Sequence, residues 1–557
     1  MRISGAEMVM KILLEQGVDT VFGYPGAAVL KLYDELYRYS GKIRHIITAH
    51  EQNAAHAADG YARASGKTGV VIATSGPGAA NLVTGIATAF MDSVPLVAIT
   101  GNVATSMIGK DSFQEVYTQG ITMPITKHNF TVHKIEHLVR NLRSAFRIAQ
   151  SGRKGPVLVD IPKDILSSYA EFEPDNGQAL PDAKIKRPTY DQNDIDRAAA
   201  LINSAMRPVI YYGGGISLAG AQSALSEFSK KSGIPSCHTL MATGAVSMEN
   251  ELGLAGMYGR YSANKAVEQC DLLLALGVRF SDRMVTCFGD FAPNAKIVHI
   301  DIDPSELNKN VHAQESIIGD IGDILRRIIE KTEEKQHDGW MSEIDSFIRF
   351  EENRSHAEAS DGRIHPHALM REISRKRENR IITTDVGQHQ IWAAQYLENL
   401  GERSFLTSGG LGTMGFGLGA AIGACFALPG RGAIHITGDG SFHMNLIELC
   451  TAELHRLPIV TVILNNSALG MVRQWQYSLY GQRYSATSPG WNTDFVKVAN
   501  GFGVDGCRVD TMEQFSRALD HALESGGPYV IDCAISEDER TLPIIHQGDT
   551  VEKTCWE

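Results

Sequence analysis

The chain has 557 residues, 43% of them apolar and 21% charged, with a formal net charge of −12. That length exceeds what one hydrophobic core serves and predicts three domains of ordinary size, and the negative charge argues against a general nucleic-acid binder. No apolar stretch is long and clean enough to span a bilayer; the first residues mix Glu7, Lys11 and Glu15 into an amphipathic pattern unlike a signal peptide; and the eight cysteines, without a Cys-x-x-Cys pair, read as reduced thiols in a cytoplasm.

In chain order, the first third alternates helical periods with short β-branched runs at 20–22, 70–73, 96–99 and 157–159. This alternation predicts a parallel sheet covered by helices on both faces. Between the first two runs, residues 49–63 are mostly small, with Glu51 at their head, the composition of a helix packed tightly against a neighbour. An acid there either faces the helix N-terminus or does chemistry, and the residues alone leave both open. A polar, proline-containing linker is expected at 171–187.

The middle third has runs at 208–212, 272–275 and 297–300. The first leads into Gly213-Gly214-Gly215 and a helix expected from Leu218, and the last ends in Asp301-Ile302-Asp303-Pro304. Glycines after one strand and acids after another are a weak dinucleotide signal. A nicotinamide dehydrogenase would need a further glycine where Leu218 stands. A second polar linker is expected at 336–365, although its Trp340, Phe347 and Phe350 suit a packed helix. The expected fold class is α/β, with three doubly wound parallel-sheet domains at 1–170, 188–335 and 366–540.

The last third, with runs at 381–383, 433–437, 459–464 and 529–531, holds the most specific signal. Gly438-Asp439-Gly440 caps the second run and Asn465-Asn466 the third, and the 24 residues from Ser441 to Leu464 are room for a helix, a turn and a strand. Such a right-handed βαβ unit sets Asp439 and Asn466 side by side at the carboxyl ends of neighbouring strands, where open α/β sheets bind ligands. A carboxylate and an amide oxygen are hard ligands suited to Mg²⁺. The glycines admit a diphosphate, and a helix starting near Ser441 aims free N–H groups at it. The alternative, Asp439 as a helix cap, does not account for the Asn-Asn pair. Gly76-Pro77-Gly78 also follows an apolar run, and Pro95 to Asn102 spans 7 positions, as does Pro458 to Asn465. The first and last thirds therefore read as copies, with Pro77 in the place of Asp439.

The Gly-Asp-Gly to Asn-Asn span resembles the signature of thiamine-diphosphate enzymes. The resemblance implies that the metal takes Asp439, Asn466 and the backbone oxygen of Ala468. It implies that Gly438, Gly440, Ser441, Gly387, Gln388, His389 and Met471 line the cofactor. Met414, in Gly-Thr-Met-Gly-Phe-Gly, matches the large apolar residue that bends the cofactor in that family; taken alone it is core filler. The segment headed by Glu51 is similar to the family's pyrimidine-binding segment, where the carboxylate holds N1′ and prepares proton removal from C2. In the family that acid comes from one subunit and the diphosphate site from its partner. This implies a homodimer or tetramer with two active sites per C₂ pair.

Motifs along nearly the whole chain resemble one branch, the catalytic large subunit of acetohydroxyacid (acetolactate) synthases. They include Phe22-Gly23-Tyr24-Pro25-Gly26, Ile108 through Glu115, Thr122 through Asn129, Asp160-Ile161-Pro162-Lys163-Asp164, Asp385 through Gln390 and Leu469 through Gln476. The resemblance implies decarboxylative condensation of pyruvate with pyruvate or 2-ketobutyrate, giving 2-acetolactate or 2-aceto-2-hydroxybutyrate, the first common step of branched-chain amino acid biosynthesis. It implies Mg²⁺, FAD in a non-redox role and a small regulatory subunit. Trp475 would contact the second substrate, where a flat ring against one methyl group supplies about 1–3 kcal/mol of discrimination. Phe113, Gln114, Lys163 and Met471 match positions in the same pocket. Arg279 suits a substrate carboxylate or a flavin phosphate, with an ion pair to Asp282 or Asp301 as the alternative. Flavin contacts would come from Arg153, Gly213, Gly214, Gly215, Tyr258, Arg279, Asp301 and Asp320, with Tyr258 standing where the family commonly has His. Within thiamine chemistry, another carboligase, a decarboxylase or a flavin oxidase is the alternative activity.

Overall fold

The computed structural model describes residues 1–174, 190–287, 289, 291–354 and 364–556. Within them the chain forms three six-stranded sheets and one two-stranded sheet. The short pair, β1 (Arg2–Ser4) with β8 (Tyr169–Glu171), is antiparallel and closes the first domain. The first large sheet uses β2 (Thr20–Gly23), β3 (Arg44–Ile47), β4 (Gly69–Ala73), β5 (Leu96–Asn102), β6 (His128–Thr131) and β7 (Pro156–Pro162). The middle sheet uses β9 (Pro208–Tyr212), β10 (Ser236–His238), β11 (Glu251–Leu254), β12 (Leu272–Leu276), β13 (Lys296–Asp301) and β14 (Glu315–Ile318). The last uses β15 (Ile381–Thr384), β16 (Phe405–Leu406), β17 (Ala433–Gly438), β18 (Ile459–Asn465), β19 (Asp505–Val509) and β20 (Tyr529–Ala534).

The strand orders are β3-β2-β4-β5-β7-β6, β11-β10-β9-β12-β13-β14 and β16-β15-β17-β18-β20-β19. The first and last sheets are therefore the same arrangement, and the middle one has the dinucleotide-binding order, whose crevice lies between β9 and β12. Strands β4, β5, β7, β9 and β12 are buried at every residue, because helices cover both faces. That double cover is why these strands read as near-continuous apolar runs.

Two sequence expectations change and a third is made specific. The helix expected from Leu218 begins at Gly215 and ends at Ala219; Gly220, with φ of 66°, turns the chain into a second helix, Gln222–Ser232. The helix expected near Ser441 begins at Asp439, and the connection to β18 contains two helices, Asp439–Asn445 and Leu449–Leu454. The stretch 336–365, expected as a linker, holds the helix Asp338–Glu352. Trp340 and Ile344 are buried beneath it, and the Trp340 indole N–H donates to Pro208 O at 3.1 Å. Burying such side chains stabilises by roughly 1.5–3 kcal/mol each, enough to hold this helix on the middle domain. Most of the expected linker 171–187 lies outside the described residues, and Glu171 ends β8.

The alanine-rich segment forms the helix Glu51–Ser65, and its tight neighbour is the helix Phe416–Ala427 of the last domain. A Cβ on Gly60 would lie 2.2 Å from Ala420 O, and one on Gly423 would lie 1.8 Å from Ala57 O. The small residues are therefore what lets the two backbones touch. Arg63, near the end of the first helix, pairs with Asp59 and Asp92 and donates to Thr407 O at 3.0 Å, and Asp92 also accepts from Gly410 N–H at 2.7 Å. The first and last domains are thus locked together through buried, charge-assisted hydrogen bonds.

Candidate active site

Asp439 and Asn466 follow neighbouring strands, with Gly438 opposite Leu464 in the β17–β18 register. Gly438 is the N-cap of the helix and Asp439 its first residue, so Asp439 is not the cap. Its carboxyl group is 6% exposed and faces the backbone N–H groups of Asn466 and Gly440. No cationic side chain pairs with it among the described residues, and burial pushes its pKa up to about 6. An acid held in this way fits a bound cation. Asn466 Oδ1 accepts from Ala468 N–H at 3.1 Å, which folds the loop so that Ala468 lies beside the same spot, and Ser467 takes a left-handed φ of 54° between them. Among the described residues no group of three His, Cys, Asp or Glu side chains is arranged to hold a metal ion. One carboxylate, one amide and one carbonyl suit Mg²⁺, which takes its other ligands from phosphate and water.

The surrounding groups form a cradle. A Cβ on Gly438 would lie 3.0 Å from His389 Nδ1, and one on Gly470 would lie 1.9 Å from Gln388 Oε1. Gln388 Nε2 donates to Gln474 Oε1 at 3.0 Å and to Glu539 O at 2.7 Å, and Ser441 Oγ donates to Val386 O at 3.0 Å. His389 follows Gly387, the N-cap of the helix Gln388–Tyr396. Its Nε2 is buried without a hydrogen-bond partner, and burial holds its imidazole down at about 4, in the neutral form. An orphaned ring nitrogen beside a glycine-lined helix N-terminus is a place for a polar ligand. Met414 is half-buried and lies 3.8 Å from where a Gly440 Cβ would be.

The predicted residues of the first domain gather at the carboxyl ends of its own sheet. Glu51 heads its helix, half-buried, and Asn81 Nδ2 donates to its Oε2 at 2.9 Å. Its Oε1 lies 3.3 Å from where a Gly78 Cβ would be, so glycine keeps space open there. Gln114 has a left-handed φ of 58°, and its backbone presses on Gly76. Lys163 is exposed at the start of the short helix after β7, and Phe113 is 87% exposed.

A third group lines a cavity of about 1810 Å³ between the domains. Arg153, Gly214, Gly215, Tyr258, Arg279, Asp301, Asp320, Gly387, Met471 and Trp475 are all in its wall, whereas Gly213 packs behind it on Gly277 O. Glu51, Phe113, Gln114, Lys163 and Asp439 are not among its lining residues. Arg153 bridges to Asp303 and Glu306 at 3.2 and 2.8 Å, and Asp320 caps the helix Ile321–Lys331. Burial pushes Asp301 up to about 6. Arg279 Nη1 donates to Met91 O at 2.6 Å, which fixes its fork at the wall, while Asp282 pairs with Arg283 at 3.9 Å.

Three family models match in order: the thiamine pyrophosphate enzyme N-terminal TPP-binding domain over residues 3–121, the central domain over 195–328 and the C-terminal TPP-binding domain over 385–533. The acetolactate synthase isozyme 2 large subunit of Escherichia coli K12 is 44% identical over 553 residues, covering 98% of each chain. A probable acetolactate synthase large subunit of Methanocaldococcus jannaschii is 45% identical over 98% of this chain and 94% of its own length. The acetolactate synthase large subunit of Parasynechococcus marenigrum is 44% identical, covering 98% of this chain and 90% of its own. The chain belongs to the acetolactate synthase large-subunit family. It is a three-domain thiamine-diphosphate enzyme, and its first and last domains are the family's two cofactor-binding domains.

Several groups that support this candidate site have roles that its motifs do not show. Glu448 accepts from Ala49 and His50 N–H at 3.0 and 3.1 Å, so a carboxylate of the last domain holds the loop leading into Glu51. Asp385 accepts from Gly417 N–H, Thr437 Oγ1 and His435 Nε2. Burial would raise Asp385, but these hydrogen bonds outweigh it and hold the carboxyl below its usual range. Asn81 has one sequence signal, its place four residues beyond the conspicuous Pro77.

Proposed function

We propose that this chain is the catalytic subunit that condenses pyruvate with a second 2-keto acid, pyruvate or 2-ketobutyrate, as the first common step of branched-chain amino acid biosynthesis. The observation that carries the proposal is the buried, uncompensated Asp439 beside Asn466 and Ala468, on a chain whose sister domain offers Glu51. Asp439, Asn466 and the Ala468 carbonyl would hold Mg²⁺; Gly438, Gly440 and Ser441 the diphosphate; Met414, Gly387, Gln388 and His389 the body of the cofactor. Bound thiamine diphosphate supplies the electron sink that lets a 2-keto acid lose CO₂ and pass its two-carbon unit to a second keto acid.

The residues of this chain do the rest. Asn81 fixes one oxygen of Glu51, which would leave the other to hold a proton at the pyrimidine nitrogen of a bound cofactor. Arg279, pre-set by Met91 O, places positive charge where a substrate carboxylate enters. Met471 and Trp475 form the apolar wall against the acceptor's alkyl group. Phe113, Gln114 and Lys163, on the Glu51 side, would cover the same pocket.

Glu51 and Asp439 serve one cofactor if two copies of the chain face each other. The segment beside Gln114 supports this, since Met107, Phe113, Tyr117, Ile121 and Met123 are all exposed, as are Val472, Tyr477 and Tyr480 beside Trp475. Exposed apolar clusters of this kind mark interfaces. The relatives' name, large subunit, supports a small partner subunit as well. FAD suits the cavity between the domains, whose wall includes Gly214 and Gly215 after β9 and Gly277 after β12 and which is larger than the 300–1,000 Å³ or so of a single small-ligand pocket. Gly214 and Gly215 would admit its phosphates, with Arg153, Tyr258, Arg279, Asp301 and Asp320 around it. The buried Cys237, Cys270, Cys425 and Cys533 are free thiols, which suits a reducing compartment, and no described helix is long and apolar enough to cross a membrane. The test is incubation with pyruvate and 2-ketobutyrate, thiamine diphosphate and Mg²⁺, with and without FAD, reading products by mass. Acetaldehyde or acetate in place of an acetohydroxy acid would overturn the proposal.

A further inference from the structure

Trp475 stands in a frame built by two distant parts of the chain. It lies on the helix Gly470–Leu479, one turn after Met471, so the two side chains share a face at the cavity wall. From the middle domain, the Tyr258 hydroxyl reaches Met471 Sδ at 3.2 Å, with the Arg283 guanidinium and the Trp475 side chain both near it. From the C-terminal tail, the His546 ring meets the indole edge-on, with centroids 5.6 Å apart and planes at 69°. Its Nδ1 is buried without a hydrogen-bond partner. These two supports are one unit, because Ile545 N–H donates to Met257 O at 2.9 Å. The tail is thereby pinned to the residue preceding Tyr258. Gln395 Nε2 donates to Tyr258 O at 2.8 Å and holds the same turn from the last domain.

We propose that Tyr258 and His546 are positioning residues that clasp the Trp475 indole and so set how strongly the site prefers a four-carbon over a three-carbon 2-keto acid acceptor. The proposal rests on the role given to Trp475 above. A half-buried Trp on a helix surface has several rotamers open to it, and a wall that moves cannot discriminate one methylene. A phenol near the indole and an imidazole edge-on to it narrow those choices. The tail residue His546 is not in the cavity lining, so it acts only through the indole.

The test is competition between pyruvate and 2-ketobutyrate in the enzyme loaded with Mg²⁺, thiamine diphosphate and FAD, reading the ratio of the two acetohydroxy acids. That ratio does not depend on how much of a preparation is active, so a merely structural loss leaves it fixed. Tyr258→Phe and His546→Leu should each lower the preference for 2-ketobutyrate about 3- to 10-fold, within the roughly 10- to 200-fold that one methylene allows. In a Trp475→Leu background the same changes should add nothing beyond about 1.5-fold, because all three act on one contact. If Tyr258→Phe does not fold, His546→Leu carries the test alone. Unchanged ratios in the single variants, or equal shifts in the Trp475→Leu background, overturn the clasp. A native enzyme that makes no acetohydroxy acid overturns the proposed function itself, and one that makes both products without preference overturns the clasp together with the role of Trp475. If Tyr258 serves only the flavin, Tyr258→Phe changes bound flavin absorbance and leaves the ratio unmoved, which also overturns the clasp.

Discussion

The first and last domains share one strand order and one piece of polar scaffolding, and differ where the sheet meets its ligand. In the last domain Asn465 ends β18 and donates to Asp532 on β20 at 2.9 Å. In the first, Asn102 ends β5 and donates to Asp160 on β7 at 2.5 Å. Each aspartate sits opposite the strand residue two places before its asparagine, Ile463 in one case and Thr100 in the other. The next residue differs: Asn466 in the last domain and Val103 in the first. Likewise Asp439 and Pro77 are each the first residue of the helix after the preceding strand. The two side chains proposed to hold the metal in one copy are apolar in the other, while the scaffold that positions them is kept. A duplicated framework therefore separates structure from chemistry: hydrogen bonds between strands hold the shape, and two positions would decide whether a cation can be held.

The sharpest break would come at the acid that only the first domain carries. Glu51→Gln should keep most diphosphate binding and lose exchange of the cofactor's C2 proton by about 10²–10⁴-fold, as followed by proton NMR in D₂O. Exchange at the native rate would remove Glu51 from the chemistry. In the last domain, Asp439→Asn should weaken Mg²⁺-dependent thiamine-diphosphate binding by about 100-fold or more in titration calorimetry, since it removes the charged ligand. Native affinity would mean that the metal lies elsewhere.

Mixing these two inactive variants tests whether the halves serve one site across a pair of chains. A mixed dimer would hold one intact site, so randomised exchange should restore about a quarter of native activity. A mixture as inactive as its parts would place each site within one chain.

The smallest effect concerns the shared scaffold. Burial pushes Asp160 up to about 6, against hydrogen bonds from Thr100 and Asn102. Its folded value lies above the ordinary carboxylate value of 3.8, so the folded protein retains the proton longer as pH rises. That stabilisation is complete below about pH 4 and is lost as pH rises through about 6. The native protein should therefore lose about 2–3 kcal/mol between pH 4 and 7 relative to Asp160→Asn. Thermal denaturation of both proteins across that range checks it; a constant gap would mean that Asp160 does not titrate there.

The sequence by itself determined much of this. Runs such as 70–73 and 459–464 marked the central strands, because a strand covered on both faces has no polar side to show. Gly-Asp-Gly and Asn-Asn placed Asp439 and Asn466 together, because neighbouring parallel strands bring their carboxyl ends to one edge. The strands it left unmarked are β3, β6, β11, β14, β16 and β19, which are the edges of the three large sheets, the three-residue β10, and the short pair β1 and β8. Edge strands keep polar residues, as in Arg44–Ile47 or Asp505–Val509, and so lose the apolar signature.

Only the tertiary structure decided what packs across long separations. It joined Glu448 to the loop before Glu51, Arg63 to the loop before Met414, and Tyr258 and His546 to Trp475. No local pattern encodes such contacts, since each depends on how separate sheets are set against one another. Thus the periodicity and motifs of the chain fixed which residues can do the chemistry, and the packing of whole domains decided which neighbours hold them in place.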